Sequence, residues 1–220
     1  MFTYDFIIWD WNGTLLDDIS ASLNSVNDML ALRGMEPIGV ERYRECIGTP
    51  IRCFYEQVFD MDKEDYPALL AEYHAGYDRH LSGCSVGKGA IEALEFFASQ
   101  GSAQVIISSC EQNQLLKGVE SCGLSGYFDA VLGAGDFLAA EKVERAQTYL
   151  AEKSQKSSPK ILVIGDLLHD FELANAVSAH CVITKSGHED WGRLEKSGVD
   201  TVNNLTELVG FITKKQQKQG

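Results

Sequence analysis

Apolar positions along the chain follow two rhythms. Short runs that are apolar nearly throughout stand at Phe6-Ile7-Ile8-Trp9, Ala103–Ile107, Ala130–Leu132, Ile161–Ile164 and Cys181–Thr184. Between them, apolar residues recur at helical spacing over Lys88–Ser99, Gln114–Cys122, Lys142–Lys153, Phe171–Ser178 and Leu205–Ile212, several of these segments being followed closely by glycine or proline. Strands that alternate with helices and show no polar face predict a parallel sheet covered on both sides, an α/β architecture.

Residues 18 to 82 break the rhythm, because they contain helical periodicity and no strand. The pieces read as helices at Ser20–Arg33, Gly39–Cys46, Pro50–Phe59 and Lys63–Leu81, with hinges near Leu16-Asp17 and Ser82-Gly83. The expected division is therefore an α/β core of residues 1–17 and 83–213, an inserted helical domain of residues 18–82, and a polar, flexible tail of residues 214–220. The polar stretch Ser154–Lys160 reads as a frayed loop.

A chain of 220 residues, 45% hydrophobic with few prolines, can bury a sizeable core. Its formal charge of −13 opposes nucleic acid or an anionic membrane as the main partner, so any phosphate handled here must meet local positive charge. The six cysteines, at 46, 53, 84, 110, 122 and 181, form no C-x-x-C pair, which argues against zinc or a disulfide framework and for reduced thiols in a cytoplasm. No segment has the length of a membrane span or the layout of a signal peptide.

The most informative stretch is Asp10-Trp11-Asn12-Gly13-Thr14, where the first apolar run ends. Asn-Gly between apolar runs suits a hairpin, but the next residues are Leu15-Leu16-Asp17-Asp18 and then Ile19, Leu23, Val26 and Leu30 at helical spacing, so an active-site loop is expected instead. Open α/β sheets carry their chemistry at the carboxyl ends of the strands. At the other strand ends stand Ser108-Ser109, whose hydroxyls and N–H groups precede a helix, Lys142 opening a helix after Gly133-Ala134-Gly135-Asp136, and Gly165-Asp166 with Asp170 four residues on. Each is weak alone. Together they describe a site for a hard cation and a phosphoryl group.

These residues resemble the motifs of the haloacid dehalogenase-like hydrolases of the phosphoglycolate phosphatase and β-phosphoglucomutase type, in order, in spacing and over nearly the whole chain. Asp10-Trp11-Asn12-Gly13-Thr14-Leu15 resembles the D-x-D-G-T-L loop, Ser108 the second motif, Lys142 the third and Gly165-Asp166-x-x-x-Asp170 the acidic fourth. The resemblance implies a Rossmann-like three-layer core with residues 18–82 as a cap, and hydrolysis of a small phosphate monoester through an aspartyl-phosphate on Asp10. It implies Mg²⁺ held by Asp10, the backbone carbonyl of Asn12 and Asp166, with Asp170 in support. Lys142 and Ser108 would grip the transferring oxygens, assisted by Ser109 and the Asn12-Gly13 turn. Arg52 is a candidate contact for a second anionic group on the substrate, with an ordinary helix-face arginine as the alternative.

Asn12 departs from the family, whose phosphatases carry an aspartate there to protonate the leaving group. Loss of that group costs on the order of 10²–10⁴-fold. The readings left open are a slow or specialised phosphatase, a relative that cleaves something else, and a catalytically quiet phosphometabolite-binding or interaction module. His169 is a candidate substitute base, and His74, Tyr77 and His80 share one helix that could face the site, or pack. Lys63, the one lysine of residues 18–82, has no context marking it as reactive; Cys110 is expected to pack beside the chemistry, and Val143, where many relatives have proline, leaves the helix intact.

Overall fold

The computed structural model describes residues 4–48, 50–135 and 142–219. The chain opens with β1 (Phe6–Trp9) and the two-residue β2 (Leu16–Asp17), then runs through four helices, α1 (Ile19–Leu32), α2 (Val40–Cys46), α3 (Arg52–Val58) and α4 (Tyr66–His80). It returns by β3 (Ser85–Val86) and α5 (Ala90–Ser99) to β4 (Ala103–Glu111), α6 (Gln112–Ser121), β5 (Ala130–Ala134) and α7 (Lys142–Lys153). It closes with β6 (Ile161–Gly165), α8 (Leu168–Ala176), β7 (His180–Thr184), α9 (Trp191–Ser197), β8 (Asp200–Val202) and α10 (Leu205–Gln219).

Six strands form one sheet in the order β5-β4-β1-β6-β7-β8, every pair parallel. The alternation within β1 shows why both faces are apolar. Ile7 and Trp9 join Ile106, Leu162 and Val182 against α5, α6 and α10, while Phe6 and Ile8 join Val105, Val163 and Ile183 against α7, α8 and α9. Each such fully buried side chain contributes roughly 1.5–3 kcal/mol. The Trp9 indole N–H donates to Gln104 Oε1 at 3.0 Å, and the Gln104 amide donates to the Leu94 carbonyl at 3.0 Å, so this buried pair is satisfied.

From β1 the chain builds outward to β4 and β5 on one side and later to β6, β7 and β8 on the other. A crevice opens at the carboxyl ends where the order reverses, beside Asp10. Leu16-Asp17, expected as a hinge, pairs antiparallel with Ser85-Val86, so a two-stranded ribbon joins the ends of the helical segment. That segment has its own core of Val26, Met29, Leu30, Tyr43, Phe54, Tyr55 and Leu69. The strand β8 and the helix α9 were not legible in the apolar pattern, and α10 continues through Gln219, where a flexible tail was expected. Lys215 is hydrogen-bonded to Asp200 and His180, which ties that part of the helix to the sheet. All six cysteines are free thiols.

Helices α1 and α4 cross where Gly76 meets Ser25. A Cβ on Gly76 would lie 2.4 Å from Ser25 Oγ and, were the hydroxyl to rotate away, still 3.1 Å from Ser25 Cβ and 3.3 Å from its Cα. Alanine inside a helix is intrinsically better than glycine by about 1 kcal/mol. Overpacking costs about 1–3 kcal/mol. Gly76→Ala is therefore expected to lower unfolding free energy in urea despite its better propensity; an unchanged or raised value would show that the crossing is looser than this contact implies.

Candidate active site

Asp10 leaves β1 with its backbone still in the ladder, its N–H donating to the Ile164 carbonyl at 2.8 Å. Register pairs Trp9 with Ile106 on one side and Ile164 on the other, which brings Asp10 between the ends of β4 and β6, where Ser108 and Asp166 follow. Lys142, the first residue of α7, reaches in from the opposite layer. Its Nζ donates to Asp10 Oδ1 at 2.7 Å and to Asp170 Oδ1 at 2.5 Å, all three groups being buried. Asp170, in the first turn of α8, uses its other oxygen to accept the N–H groups of Asp166 and Leu167, each at 3.1 Å.

One carboxylate oxygen from each of Asp10, Asp166 and Asp170 lies within 4.8 Å of the other two. One ammonium faces three acids. Burial pushes the Asp10 carboxyl above its usual range against the opposing pull of Lys142, and burial likewise pushes Asp166 well above it, although His188 opposes. Burial alone would lower Lys142, yet Asp10 and Asp170 raise it, so it remains charged. Asp166 Oδ1 is buried and has no hydrogen-bond partner. A hard divalent cation would satisfy that oxygen and remove the repulsion, so the donor set fits such an ion.

The loop after Asp10 turns on Gly13 at φ +70°, where an added Cβ would fall 2.2 Å from Asp166 Oδ2. The loop is held by Asp18. Asp18 Oδ1 accepts the Gly13 N–H at 2.7 Å, and Oδ2 accepts the Asn12 side-chain amide at 2.8 Å and the Tyr77 hydroxyl at 2.8 Å. Asn12 Nδ2 also donates to the Tyr77 oxygen at 2.9 Å. From the loop after β7, the His188 N–H donates to Asp166 Oδ2 at 2.6 Å, while its ring joins Asp18 Oδ1 at 3.1 Å and the Tyr43 hydroxyl at 3.0 Å. Burial would lower His188, but Asp18 overrides it and the ring is pushed up to about 9. Burial would raise Asp18, but the charge and hydrogen bond of His188, with those of Asn12 and Tyr77, hold it below the usual carboxylate range.

The helical segment reaches the core through α2 and α4. Arg193 donates to the carbonyls of Arg44 and Glu45 at 2.9 and 3.0 Å, gripping the carboxyl end of α2. Arg44 donates to the Gly187 carbonyl at 3.1 Å and lies over the Trp191 ring. On the other side, Gln114 donates to Asp78 at 2.8 Å. Between α4 and α6 lies a cavity of about 730 Å³ whose walls include Asn12, Tyr77, Cys110 and Gln114.

The structure thus brings together Asp10, Asn12, Gly13, Lys142, Asp166 and Asp170. Ser108 is buried beside them, its Oγ accepting the Cys110 N–H at 3.2 Å, but β4 runs on through Ser108 and Ser109 to Glu111, and the helix begins only at Gln112. Glu111, accepting from Asn113 and Gln114, caps that helix, and Ser109 is exposed. Arg52 pairs with Glu56 at 2.9 Å and stands over Tyr66, so these contacts lie inside the helical segment. His80 pairs with Asp28, and Lys63 with Asp60 on the surface. Among the described residues His169 takes part in none of the site's hydrogen bonds, and Asp136 lies outside the described residues. Asp18, Tyr43 and His188 were missed. His188 had the same signal as the others, a polar group just past the end of an apolar strand.

The family model for haloacid dehalogenase-like hydrolases matches residues 7–184, from β1 through β7. The chain belongs to the haloacid dehalogenase-like hydrolases. Among curated relatives of this hydrolase, a phosphoglycolate phosphatase of Rhodobacter capsulatus is 27% identical over 187 residues, covering 83% of this chain and 84% of that one. Phosphoglycolate phosphatase 1 of Pseudomonas aeruginosa is 24% identical over 213 residues, covering 92% and 78%. Among solved structures, a haloacid dehalogenase-like family hydrolase from Streptococcus pneumoniae superposes with TM-score 0.80 at 17% identity, covering 96% of this chain and 100% of that one. A haloacid dehalogenase-like protein from Agrobacterium tumefaciens gives TM-score 0.80 at 22% identity, covering 97% and 99%. Among the described residues, no helix is long and apolar enough to cross a membrane.

The Asp18 pairing carries a pH signature. Because His188 is raised in the folded hydrolase from about 6.5 to about 9, its contribution to stability is fully present below pH 6.5 and is lost as pH rises through about 9. Urea midpoints taken in EDTA are expected to fall across this interval in the wild type, and the fall is expected to shrink in Asp18→Asn. Equal slopes in the two proteins would show that Asp18 does not hold the His188 proton.

Proposed function

We propose that the chain is a Mg²⁺-dependent phosphatase of small phosphate monoesters, with Asp10 as the nucleophile. The observation that carries the reading is the buried trio of Asp10, Asp166 and Asp170 where the sheet order reverses, with Lys142 bridging Asp10 and Asp170. Relatives named phosphoglycolate phosphatase support a phosphomonoester as substrate. The helices α1–α4 serve as the cap over the site, and the six free thiols suit a reducing compartment such as the cytoplasm.

Asp10, Asp166 and the Asn12 carbonyl would hold Mg²⁺, with Asp170 behind them, and the ion would supply charge neutralisation for the phosphoryl group when bound. An Asp10 carboxylate oxygen forms a bond to phosphorus as the ester P–O bond breaks, and the alcohol leaves with that electron pair and takes a proton from water. A second water then attacks phosphorus, releasing inorganic phosphate and restoring the carboxylate. Lys142 orients Asp10 and, with the Ser108 hydroxyl, binds the phosphoryl oxygens; the Ser109 amide assists, whereas the Gly13 N–H is already given to Asp18 and shapes the turn instead. Asn12 has no acidic proton to give, so turnover is expected to be slower, by roughly 10²–10⁴-fold, than in a site with a placed acid.

Phosphate release from a panel of small esters tests this. The expected result is release that needs Mg²⁺, stops on adding EDTA and falls below detection in Asp10→Ala, with the variant's melting curve showing that it is folded. Release that persists in folded Asp10→Ala would overturn the role of Asp10. The engaged amide of Asn12 favours a second reading, a catalytically quiet phosphometabolite-binding module, and binding of a phosphate mimic with Mg²⁺ but no release from any ester would select it.

A further inference from the structure

The hydrogen-bond protons around Asp18 can be counted, and the count leaves no freedom at position 12. Asp18 is buried, and its two oxygens take four donors, the Gly13 N–H and His188 ring on Oδ1, the Asn12 amide and Tyr77 hydroxyl on Oδ2. Tyr77 has one hydroxyl proton, given to Asp18, and therefore acts as acceptor toward Asn12. Asn12 gives one amide proton to each. A carboxylate at position 12 would bring an oxygen 2.8 Å from Asp18 Oδ2 and 2.9 Å from a hydroxyl whose proton is committed. Like charges at that separation in a buried site, beside three further carboxylates, are strongly unfavourable.

We propose that Asp18 is the positioning residue of this site: with Tyr77 from α4 it fixes the Asn12-Gly13 turn beside Asp10, and the carboxylate at 18 dictates the amide at 12. Asn12 is then one half of a pair whose charge sits on the other half. Tyr77 makes the pair complete only with α4 seated against the loop. The coupling between the two positions stands on geometry alone, while its consequence for turnover rests on the phosphatase reading.

The test is a double-mutant cycle of Asn12→Asp, Asp18→Asn and both together, read by melting temperature in EDTA and by Mg²⁺-dependent phosphate release from p-nitrophenyl phosphate. Each single change is expected to lower the melting temperature by about 5 °C or more, and the double variant to lose clearly less than the sum. The double variant, with a carboxylate at 12 held by an amide at 18, is expected to release phosphate faster than Asn12→Asp alone. Additive melting shifts, or a fully stable Asn12→Asp, would overturn the pairing. Coupled stability with equal rates in Asn12→Asp and the double variant would overturn the positioning role. If no variant releases phosphate, the phosphatase reading fails while the melting cycle still decides the pairing. Should Asn12→Asp not fold, Tyr77→Phe made in the wild-type and Asp18→Asn backgrounds reads the same network, and additive losses there count against it.

Discussion

The ammonium group of Lys142 is the constraint around which the rest is arranged. Two strand ends and a helix deliver carboxylates to one point, and without a cation among them these groups would repel one another in a medium that screens little. Lys142 can reach that point only because α7 packs flat on the sheet through Ala146, Tyr149 and Leu150, with the lysine at its first position. The apolar layer beneath the helix and the ion pair at its end thus depend on each other. The alternation of faces in β1 sets the height at which Asp10 emerges, and the register with β6 sets its distance from Asp166.

The helical segment is attached by a different kind of bond. Its own core is separate from the two cores of the sheet, and its links across the crevice are polar. Arg193 and Arg44 grip backbone carbonyls, and Tyr43 and Tyr77 bring hydroxyls to His188 and Asp18. Polar links of this sort exchange with water at little net cost, whereas an apolar core does not.

The legibility of the sequence divides along the same line. The strands β1, β4, β5, β6 and β7 were legible because each turns apolar side chains to both faces of the sheet, and so were Asp10, Asp166, Asp170 and Lys142, because strand ends in such a sheet converge. The ribbon of Leu16-Asp17 with Ser85-Val86 was not, since two-residue strands carry no periodicity and their partners lie far apart in the chain. β8 is three residues long and polar at its start. Asp18 stands just before α1, yet no side-chain cap bond is made there, because its oxygens are spent on Asn12, Gly13, Tyr77 and His188. His188 lies 170 residues from Asp18, and only the folded sheet brings them together. Arg52 had a charge suited to an anion and a place near the expected site, but a glutamate one turn away on its own helix and an aromatic ring take it up.

The bond from the Gly13 amide to Asp18 has a chemical consequence of another kind. An Asn-Gly peptide ages by attack of the glycine nitrogen on the asparagine side-chain carbonyl, closing a succinimide that reopens as aspartate or isoaspartate. That nitrogen must first shed its proton and swing toward the side chain. Here the N–H is given to a buried carboxylate, with nitrogen and oxygen 2.7 Å apart, and the side-chain amide is pinned on the same acid, so neither partner of the cyclisation is free to move. The fold therefore sets the chemical lifetime of its own active-site loop. Residue 12 keeps its nitrogen for as long as the protein stays folded, and loses that protection whenever it opens.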